Sequence, residues 1–437
     1  EGHVGVQHEV GMSRLHGPTV GVSTACPAGH SSVQYRDSMT VQRMTDADIL
    51  EQLRAMKSND VQWREGRVFS LAYYVDEATA DIADAAHRLF SGDNALNTAA
   101  FPSLQRIQDD LVSAVRSWCD GDADTAGFVT SGGTESLLLA VKAARERGRL
   151  ERQVDRPNVV LPMSAHAAFE KACHYFGVES RRIPVRADWR ADVAAMEEAI
   201  DDQTVLLVGS APQYPQGVID PISEIAAVAA ARGINCHVDA CMGGVTLHYM
   251  SRLGMLTPLW NFRVEGVTSI SVDLHKYGYA TKGCGVLMHR NRSLRAHQTF
   301  VFDDWLGGFY ASPNMQGSRP GLPMATAWAV MHRLGTDGYR DLTRTTIATA
   351  RTIADAVRAT PGLRVLGSPD AHLLAVAGDG LDVFAVGEAL AARGWHLDRQ
   401  TPPDALHLTV SAGNAAVVEA FLADLAAAVA DTAGTAA

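Results

Sequence analysis

The stretch FVTSGGTESLLLAVKAARERG, residues 128–148, runs from an apolar β-type segment through a glycine-rich turn into a helix. Gly132 and Gly133 let backbone amides approach an anion, and Thr134 and Ser136 offer hydroxyls near the helix start. A helix N-terminus with free N–H groups favours phosphate. The stretch lacks the G-K-[ST] of a nucleotide loop and the G-x-G-x-x-G of a dinucleotide site. An ordinary capping turn, with Thr134 as the cap, would explain the same residues, so this stretch alone leaves both interpretations open.

Short apolar runs alternate with amphipathic helical stretches along the middle of the chain. The runs are NVVLP (158–162), TVLLVG (204–209), INCHVD (234–239), SISVD (269–273) and GVLMH (285–289). This alternation predicts an α/β fold with a largely parallel sheet covered by helices on both faces. Ligands of such sheets bind at the carboxyl ends of the strands, so the residues after each run are the candidates for chemistry.

Composition and charge exclude several classes of partner. The chain has 437 residues, of which 47% are apolar and 20% charged, as is ordinary for a globular protein. Its net charge of −11 argues against a nucleic-acid or anionic-membrane surface. No apolar run approaches the roughly 18 residues of a membrane span, and the first residues lack the pattern of a signal peptide. We therefore expect a cytoplasmic protein with no integral membrane segment and no nucleic-acid partner.

The cysteines and histidines give no sign of a metal site. The six cysteines are scattered and form no C-x-x-C pair, which fits a reducing compartment better than a zinc site or a disulfide framework. His166 and His174 stand eight positions apart, a spacing that argues against a shared metal ion. We therefore predict that the protein binds no metal.

Four segments are predicted along the chain. Residues 1–45 are expected to form an N-terminal extension, either flexible or laid over a neighbouring subunit. Residues 46–100 are predicted as a helical segment and residues 101–323 as the large sheet domain. Residues 324–437 are predicted as a smaller C-terminal domain that opens with a long helix.

Three residues that follow strands have side chains that suit a cofactor. Asp239 ends the run INCHVD, and a partly buried carboxylate there needs a partner such as a protonated pyridine nitrogen. His166 follows NVVLP, and its imidazole can stack on a flat ring. Lys276 follows SISVD and can form a Schiff base, provided that its surroundings favour the neutral amine. Each also has an ordinary explanation: a strand-end cap for Asp239, a surface or core position for His166, and a solvated cation for Lys276.

The combination of these residues points to pyridoxal 5′-phosphate (PLP). Gly133, Asp239 and Lys276 occur in this order, each after a strand. They would supply a phosphate anchor, a partner for the pyridinium nitrogen and an imine-forming amine, which is the set that PLP chemistry requires. We therefore predict that PLP is the cofactor.

The motifs resemble those of the sphingosine-1-phosphate lyase family of fold-type-I PLP enzymes, near the group II amino-acid decarboxylases. The resemblance runs from about residue 60 to about residue 410. It rests on TSGGTES, SAHAAFEKACHYFG, HVDACMGG, DLHKYGYATKG and GGFYASPNMQGSRPG (307–321). It implies a large, mostly parallel sheet domain of the seven-stranded type, covered by helices, and a smaller C-terminal α+β domain.

The family's cofactor residues carry over to matching positions. By resemblance, Lys276 is the Schiff-base lysine and Asp239 the partner of the pyridine nitrogen. His166 matches the ring-stacking histidine, and Gly133 and Thr134 match positions of the phosphate cup.

The resemblance also assigns residues around the cofactor and the substrate. His275 matches a residue beside the cofactor phosphate, and Lys282 matches a second active-site lysine. Tyr214 and Tyr73 match substrate-side tyrosines. Lys276, Tyr214, Lys282 and Tyr73 are therefore the candidate catalytic residues.

Two further segments bear on the partner subunit and the substrate. Gly317 and Ser318 match a loop that often reaches the partner subunit's cofactor, which implies a homodimer with shared active sites. Asn97 and Thr98 stand where the family usually has a His-Pro pair whose histidine belongs to the substrate-side pocket. Asn97 is therefore a candidate substrate-binding residue, and its identity leaves open whether the substrate is phosphorylated. Thr281 stands where the family often has proline.

The resemblance implies a PLP-dependent carbon–carbon lyase. Such an enzyme would cleave a β-hydroxy amine, sphingosine-1-phosphate or a related amino alcohol, by retro-aldol chemistry to an aldehyde and an amine. Its partners would be a small-molecule amine, with or without a phosphate, and a second copy of the chain. A PLP-dependent amino-acid decarboxylase is the first alternative. A non-catalytic PLP-fold binding protein is the second, although the retained cofactor residues argue against it.

Overall fold

A computed structural model describes residue 41 and residues 43–432 of the chain. Two compact units make up the chain, Glu1–Asp60 and Val61–Ala437. In the first unit, helix α1 (Asp46–Met56) is capped by Thr45, whose side chain accepts a hydrogen bond from the amide of Asp48. The predicted N-terminal extension lies, except for its last few residues, outside the described part of the chain. The segment boundaries predicted at residues 45, 100 and 323 stay predictions.

The second unit contains the remaining helices and all the described strands. The helices are α2 (Glu77–Leu89), α3 (Pro102–Trp118), α4 (Gly133–Arg152), α5 (Ala168–Phe176), α6 (Val193–Glu198), α7 (Ile222–Ala231), α8 (Gly244–Arg252), α9 (Arg292–Ala296), α10 (Leu322–Ala359), α11 (Val383–Ala392) and α12 (Val418–Thr432). The strands are β1 (Ala126–Thr130), β2 (Asn158–Pro162), β3 (Glu179–Ile183), β4 (Thr204–Ser210), β5 (Asn235–Asp239), β6 (Ser269–Asp273), β7 (Gly285–His289), β8 (Phe300–Phe302), β9 (Tyr310–Ser312), β10 (Leu363–Val365), β11 (Leu373–Gly378), β12 (Asp398–Gln400) and β13 (Ala405–Thr409).

Seven strands form one large sheet in the order β1-β7-β6-β5-β4-β2-β3. Strand β7 runs antiparallel to both of its neighbours, β1 and β6, and every other pair in the sheet is parallel. The central strands β2, β4, β6 and β7 are buried along their whole length, as expected for a sheet with helices on both faces. The carboxyl ends of β1, β2, β4, β5 and β6 therefore meet at one edge. The predicted α/β fold is confirmed.

A smaller antiparallel sheet follows the long helix α10 and has the strand order β10-β11-β13-β12. Helix α10 changes direction at Gly335, which has a positive φ of 57° that glycine adopts readily. The buried faces of α11 and α12 pack with this sheet in a core of their own that includes Val386, Leu390 and Phe421. The predicted C-terminal α+β architecture matches this arrangement.

Helix α3 illustrates how the sequence pattern positions the elements around the site. It begins with a proline at its first position, where no backbone donor is needed. Leu104, Ile107, Leu111, Val115 and Trp118 recur at helical spacing, and all five are buried. They pack in the same core as the inner residues of the large sheet.

One described helical stretch, Ala412–Thr432, is long and apolar enough to cross a membrane by length and composition alone. Core helices of soluble proteins can pass the same test, and Phe421, Leu425 and Ala428 of this stretch are buried against the small sheet. Most of the stretch is nevertheless not buried within this chain. The expectation that the chain has no membrane segment stays a prediction.

Candidate active site

The carboxyl ends of the large sheet open into a cleft with a volume of about 440 Å³. The cleft brings together nine of the residues selected from the sequence. These are Tyr73, Gly133, Thr134, His166, Tyr214, Asp239, His275, Lys276 and Lys282.

The glycine-rich turn between β1 and α4 forms one wall of the cleft. Gly132, with φ of 136°, precedes the first residue of α4, and no side chain caps this helix. Its first N–H groups are therefore available to an anion. A Cβ at Gly132 would lie 2.5 Å from Cε1 of His275, and one at Gly133 would lie 2.8 Å from Oδ2 of Asp273. Only glycines allow the backbone to approach this closely, as a phosphate cup requires.

Asp239 lies at the end of β5 and has one carboxylate oxygen committed to the protein. Its Oδ1 accepts hydrogen bonds from the amide of Cys241 at 3.1 Å and the hydroxyl of Ser271 at 3.3 Å. Burial alone would raise the pKa of Asp239, but the nearby His166 and Lys276 outweigh it, so that the pKa is lowered. Oδ2 has no hydrogen-bond partner within residues 43–432, so an ionised carboxylate oxygen is left for a cationic N–H in the cleft.

Lys276 follows β6 and is paired with a buried acid that the sequence analysis did not single out. Its Nζ lies 2.8 Å from Oδ2 of Asp273, whose side chain is 1% exposed. Neither oxygen of Asp273 has a further hydrogen-bond partner in the described chain. Burial disfavours the charged amine, but Asp273 outweighs this effect and raises the pKa of Lys276 above its usual range. The sequence analysis required surroundings that favour the neutral amine, whereas in this chain a carboxylate stabilises the ammonium.

Lys282 is the second cation of the cleft. Its Nζ donates to the carbonyl of His275 at 2.9 Å and lies 4.5 Å from the ring centre of Tyr73. The side chain reaches solvent, yet protein atoms surround the amine. This desolvation, together with the charge of Lys276, lowers the pKa of Lys282 to about 8.

His275 and Tyr73 flank the two lysines. Nδ1 of His275 lies 2.9 Å from the carbonyl oxygen of Cys284, and burial lowers the pKa of this histidine although Asp273 opposes the effect. Burial also raises the pKa of Tyr73 above its usual range. Its hydroxyl makes no hydrogen bond to any described residue, so it faces the cleft without a fixed protein partner.

Tyr214 is held on the other side of the cleft by the small sheet. Its hydroxyl donates to Oδ2 of Asp398 at 3.1 Å. Its ring lies 4.0 Å from the ring of His407 and, edge-on, 6.5 Å from that of His166. Burial, followed by the charge of Asp398, raises the pKa of Tyr214, so this hydroxyl keeps its proton at neutral pH.

Three of the selected residues do not reach this cleft. Asn97 is exposed in a turn, where its side chain accepts a hydrogen bond from the amide of Ala99 at 3.0 Å. Gly317 and Ser318 are also exposed, and the hydroxyl of Ser318 accepts a hydrogen bond from Asn94 at 3.2 Å. Among the described residues that line the cleft, none of these three occurs. Their assignment to the substrate pocket and to the partner subunit's cofactor stays a prediction.

The cleft also contains residues that sequence reasoning missed. Asp273 ends the quoted run SISVD, and an acidic residue at the end of a predicted buried strand was the signal that could have found it. Asp398 and Thr409 line the cleft from β12 and β13 of the small sheet. The local sequence around them carries no motif, so only the three-dimensional arrangement reveals them.

Comparison with known proteins identifies the family. A model of the pyridoxal-dependent decarboxylase conserved domain matches residues 40–377. The sphingosine-1-phosphate lyase 1 of Rattus norvegicus is 39% identical over 86% of this chain and 66% of its own length. The sphingosine-1-phosphate lyase of Arabidopsis thaliana is 38% identical over 86% of this chain and 71% of its own length. The chain belongs to the pyridoxal-dependent decarboxylase family, in its sphingosine-1-phosphate lyase branch.

A solved structure of the same branch has the same fold. The sphingosine-1-phosphate lyase of Burkholderia pseudomallei K96243 superposes with a TM-score of 0.87 at 38% identity, covering 90% of this chain and 92% of its own. The predictions of family, fold and PLP cofactor are confirmed. The chain spans about two thirds of the length of the curated eukaryotic relatives.

The residues of this pyridoxal-dependent enzyme fit the cofactor. The uncapped start of α4 and its two glycines form a cradle that an added Cβ would fill. Asp239 has one ionised oxygen free for a pyridinium N–H, and His166 lies exposed at the cleft, where its ring can stack. Lys276 has its amine inside the cleft. No group of three or more metal-ligating side chains occurs among residues 43–432.

Proposed function

We propose that the protein cleaves the Cα–Cβ bond of a small, phosphorylated β-hydroxy amine, giving an aldehyde and an amine. One observation carries the proposal. The cofactor residues share one cleft with a spare cation, Lys282, and with a tyrosine, Tyr214, that is anchored to a carboxylate. Lys282 would bind an anionic end of the substrate, and Tyr214 would face its hydroxyl.

The roles of the residues follow from their positions. Bound PLP supplies an acceptor for the electron pair that remains at Cα when the Cα–Cβ bond breaks. The amides before and within the first turn of α4 would bind the cofactor phosphate, and Asp239 would hold the pyridine nitrogen in its protonated form. His166 would cover one face of the ring. Lys276 would hold the cofactor and give way to the substrate amine, while its ion pair with Asp273 keeps the released ammonium in place.

The charges of the cleft favour an amine without a carboxylate at Cα. Its lining contains the acidic residues Glu135, Asp239, Asp273 and Asp398 and the lysines Lys276 and Lys282, and no arginine is among the lining residues described. Lys276 is committed to the cofactor. An amino-acid substrate would have to place its carboxylate beside Lys282, since the carboxylates of the cleft would otherwise repel it. A phosphorylated β-hydroxy amine has no carboxylate and needs one cation for its phosphate.

The assay compares aldehyde release with CO₂ release. The yellow holoenzyme is incubated with phosphorylated and unphosphorylated β-hydroxy amines and with a panel of amino acids, and the products are identified by mass spectrometry. Aldehyde from the phosphorylated amines supports the proposal. CO₂ from an amino acid without aldehyde release would replace it with the decarboxylase alternative. A protein that stays colourless after added PLP would support the non-catalytic alternative.

The role of Lys276 has its own test. The Lys276→Ala variant should lack the visible absorption of the lysine-bound cofactor and should release no aldehyde. A variant that retains both the band and full turnover would contradict the assignment.

We further propose that the enzyme is a homodimer, supported by an exposed apolar hairpin. Strands β8 and β9 and their connection expose a set of large apolar side chains, namely Phe300, Val301, Phe302, Trp305, Leu306 and Phe309. A contiguous apolar surface of this kind is characteristic of an interface. The loop with Gly317 and Ser318 follows β9 directly, which fits the predicted contact with the partner subunit's cofactor.

We also infer a cytoplasmic location. The five described cysteines are all unpaired and buried, as in proteins of reducing compartments. Fractionation of the native host, with the protein followed by antibody, tests this location; recovery in the membrane fraction after a salt wash would contradict it.

A further inference from the structure

Asp398 belongs to the small sheet but places its side chain in the active-site cleft. It pairs with His407 across β12 and β13, and it lies at the cleft about a third exposed. Gln400, two residues further on and therefore on the same face of β12, donates to the carbonyl of Pro215 at 3.0 Å. Two side chains of β12 thus fix the segment that carries Tyr214.

These contacts determine which way the Tyr214 hydroxyl points. A phenol has one O–H donor and accepts through its oxygen lone pairs. The proton of Tyr214 is directed to Asp398, so towards the cleft the oxygen offers lone pairs only. It can accept a hydrogen bond from a substrate hydroxyl and cannot donate one.

The two tyrosines of the cleft therefore differ in a way that matters for proton removal. Both have pKa values above the usual range, chiefly through burial, so neither is a phenolate at neutral pH. A neutral tyrosine can take up a proton only if its own proton leaves at the same time. Tyr214 has a carboxylate to receive it, and the hydroxyl of Tyr73 has no acceptor within the described residues.

We propose that Tyr214 and Asp398 form a proton-accepting dyad for the β-hydroxyl of the substrate, with Tyr214 as the catalytic residue and Asp398 as the positioning residue behind it. The proposal rests on the proposed lyase function. As the Cα–Cβ bond breaks, the hydroxyl proton moves to Oη of Tyr214 and the proton of Tyr214 moves to Asp398. The O–H electron pair forms the aldehyde C=O bond, and the Cα–Cβ pair stays with Cα. The proton lost from oxygen equals the proton gained later at Cα, so no further reactant is needed.

The first test measures binding and does not depend on turnover. Stopped-flow changes in the visible absorption of the bound cofactor give the affinities for a 2-amino-3-hydroxyalkyl phosphate and for its 3-deoxy counterpart. The wild-type holoenzyme should prefer the hydroxy compound about fivefold, as expected for one hydrogen bond. Tyr214→Phe should abolish the preference, because Phe removes the acceptor, and Asp398→Ala should weaken it, because the tyrosine oxygen is no longer held with its lone pairs towards the substrate. An unchanged preference in both variants would overturn the dyad.

The second test measures aldehyde release by the same holoenzymes. Tyr214→Phe and Asp398→Ala should each lower kcat by about 10²-fold or more with little change in KM, in the range of general acid–base catalysis. Because the two residues act as a unit, the double variant should lose no more than the larger single loss. Formate should raise the activity of Asp398→Ala at least tenfold and should leave the activity of Tyr214→Phe unchanged. The proposal would be overturned if the kcat losses of the two single variants multiplied in the double variant. It would also be overturned if formate failed to rescue an Asp398→Ala protein with a normal visible band.

Two variants control for structural damage. Glu388→Gln removes an exposed carboxylate that pairs with Arg399, the neighbour of Asp398, and should behave as wild type. If the alanine variant does not fold, Asp398→Asn can replace it, because asparagine keeps the shape of the side chain. This variant should show the same loss of kcat. If wild type releases no aldehyde, the lyase proposal fails, while the binding preference still decides whether the dyad exists.

Discussion

Replacing Asp273 with asparagine should destabilise the cofactor-free protein by about 3–4 kcal/mol. Asparagine keeps the shape of the side chain and removes its charge. The carboxylate lies 2.8 Å from Nζ of Lys276 and is almost fully buried, and it has no other hydrogen-bond partner in the described chain. At an effective dielectric constant of about 20, two unit charges at this separation attract each other by roughly 6 kcal/mol. Removing one of them leaves a lysine ammonium at a place where burial disfavours it.

The loss has an upper limit because Lys276 can give up its proton instead. Deprotonating a lysine of ordinary pKa at pH 7 costs about 4.6 kcal/mol, at 1.36 kcal/mol per pH unit. Water recovers part of this cost, since 23% of the Lys276 side chain is exposed. Burial lowers the pKa of Lys276, but Asp273 more than reverses this and raises it. The stabilisation is therefore complete below the unfolded lysine pKa and is lost only as the pH rises through the higher folded value. Between pH 7 and 9 the difference between the two proteins should shrink, because the cost of deprotonating Lys276 in the variant falls by about 1.36 kcal/mol per pH unit.

The assay is urea unfolding of both cofactor-free proteins, followed by far-UV circular dichroism and tryptophan fluorescence over the transition where the two probes coincide. Asp337→Asn is the matched control. Its partner Arg340 lies 3.3 Å away, but the Asp337 side chain is 91% exposed, so this change should cost less than about 1 kcal/mol. An Asp273→Asn variant that unfolds within 1 kcal/mol of wild type would refute the role given to the buried pair.

Three further outcomes are expected. Gly132→Ala should weaken PLP binding at least tenfold in a visible-absorption titration, because its Cβ would lie 2.5 Å from a histidine ring atom. The control Gly92→Ala, whose Cβ would have nothing within 4 Å, should bind PLP normally. Equal affinities of the two variants would contradict the role of Gly132 in the phosphate cup. The KM of a phosphorylated substrate should rise as the pH rises through about 8, where Lys282 loses its charge. Lys282→Gln should have a high KM at every pH. A wild-type KM that does not change with pH would exclude Lys282 as the phosphate ligand. Leu306→Asp should shift sedimentation from dimer to monomer, and Leu150→Asp, at an exposed leucine outside the hairpin, should not. A Leu306→Asp dimer of unchanged stability would exclude the hairpin as the interface.

The central strands could be predicted from the sequence almost to the residue. NVVLP, SISVD and GVLMH coincide with β2, β6 and β7, because short segments rich in β-branched and other apolar residues are typical of buried strands. Strand β3, with the sequence ESRRI, was missed. It lies at the edge of the sheet and is only partly buried, so its two arginines obscure the pattern.

The site could be predicted only where it depends on the large sheet. Asp239, His166 and Lys276 were found because a parallel sheet brings the residues after its strands to one edge. Asp398 was not found because β12 is a three-residue strand with intermediate burial and no motif. Its place in the cleft depends on how the small sheet packs against the segment 214–215, which no local pattern in either segment reveals.

The large and small sheets contribute different groups to the cleft, and this difference bears on reaction specificity. The large sheet supplies the phosphate cradle, the pyridine partner and the amine, which a lyase and a decarboxylase need alike. Asp398 and Thr409, which also line the cleft, come from the small sheet. A carboxylate at position 398 repels an α-carboxylate and, through Tyr214, accepts a proton from a hydroxyl. In this chain the strand ends of the large sheet supply the cofactor site, and the proposed dyad assigns the choice of bond to one acidic residue, Asp398, on a short strand of the small sheet.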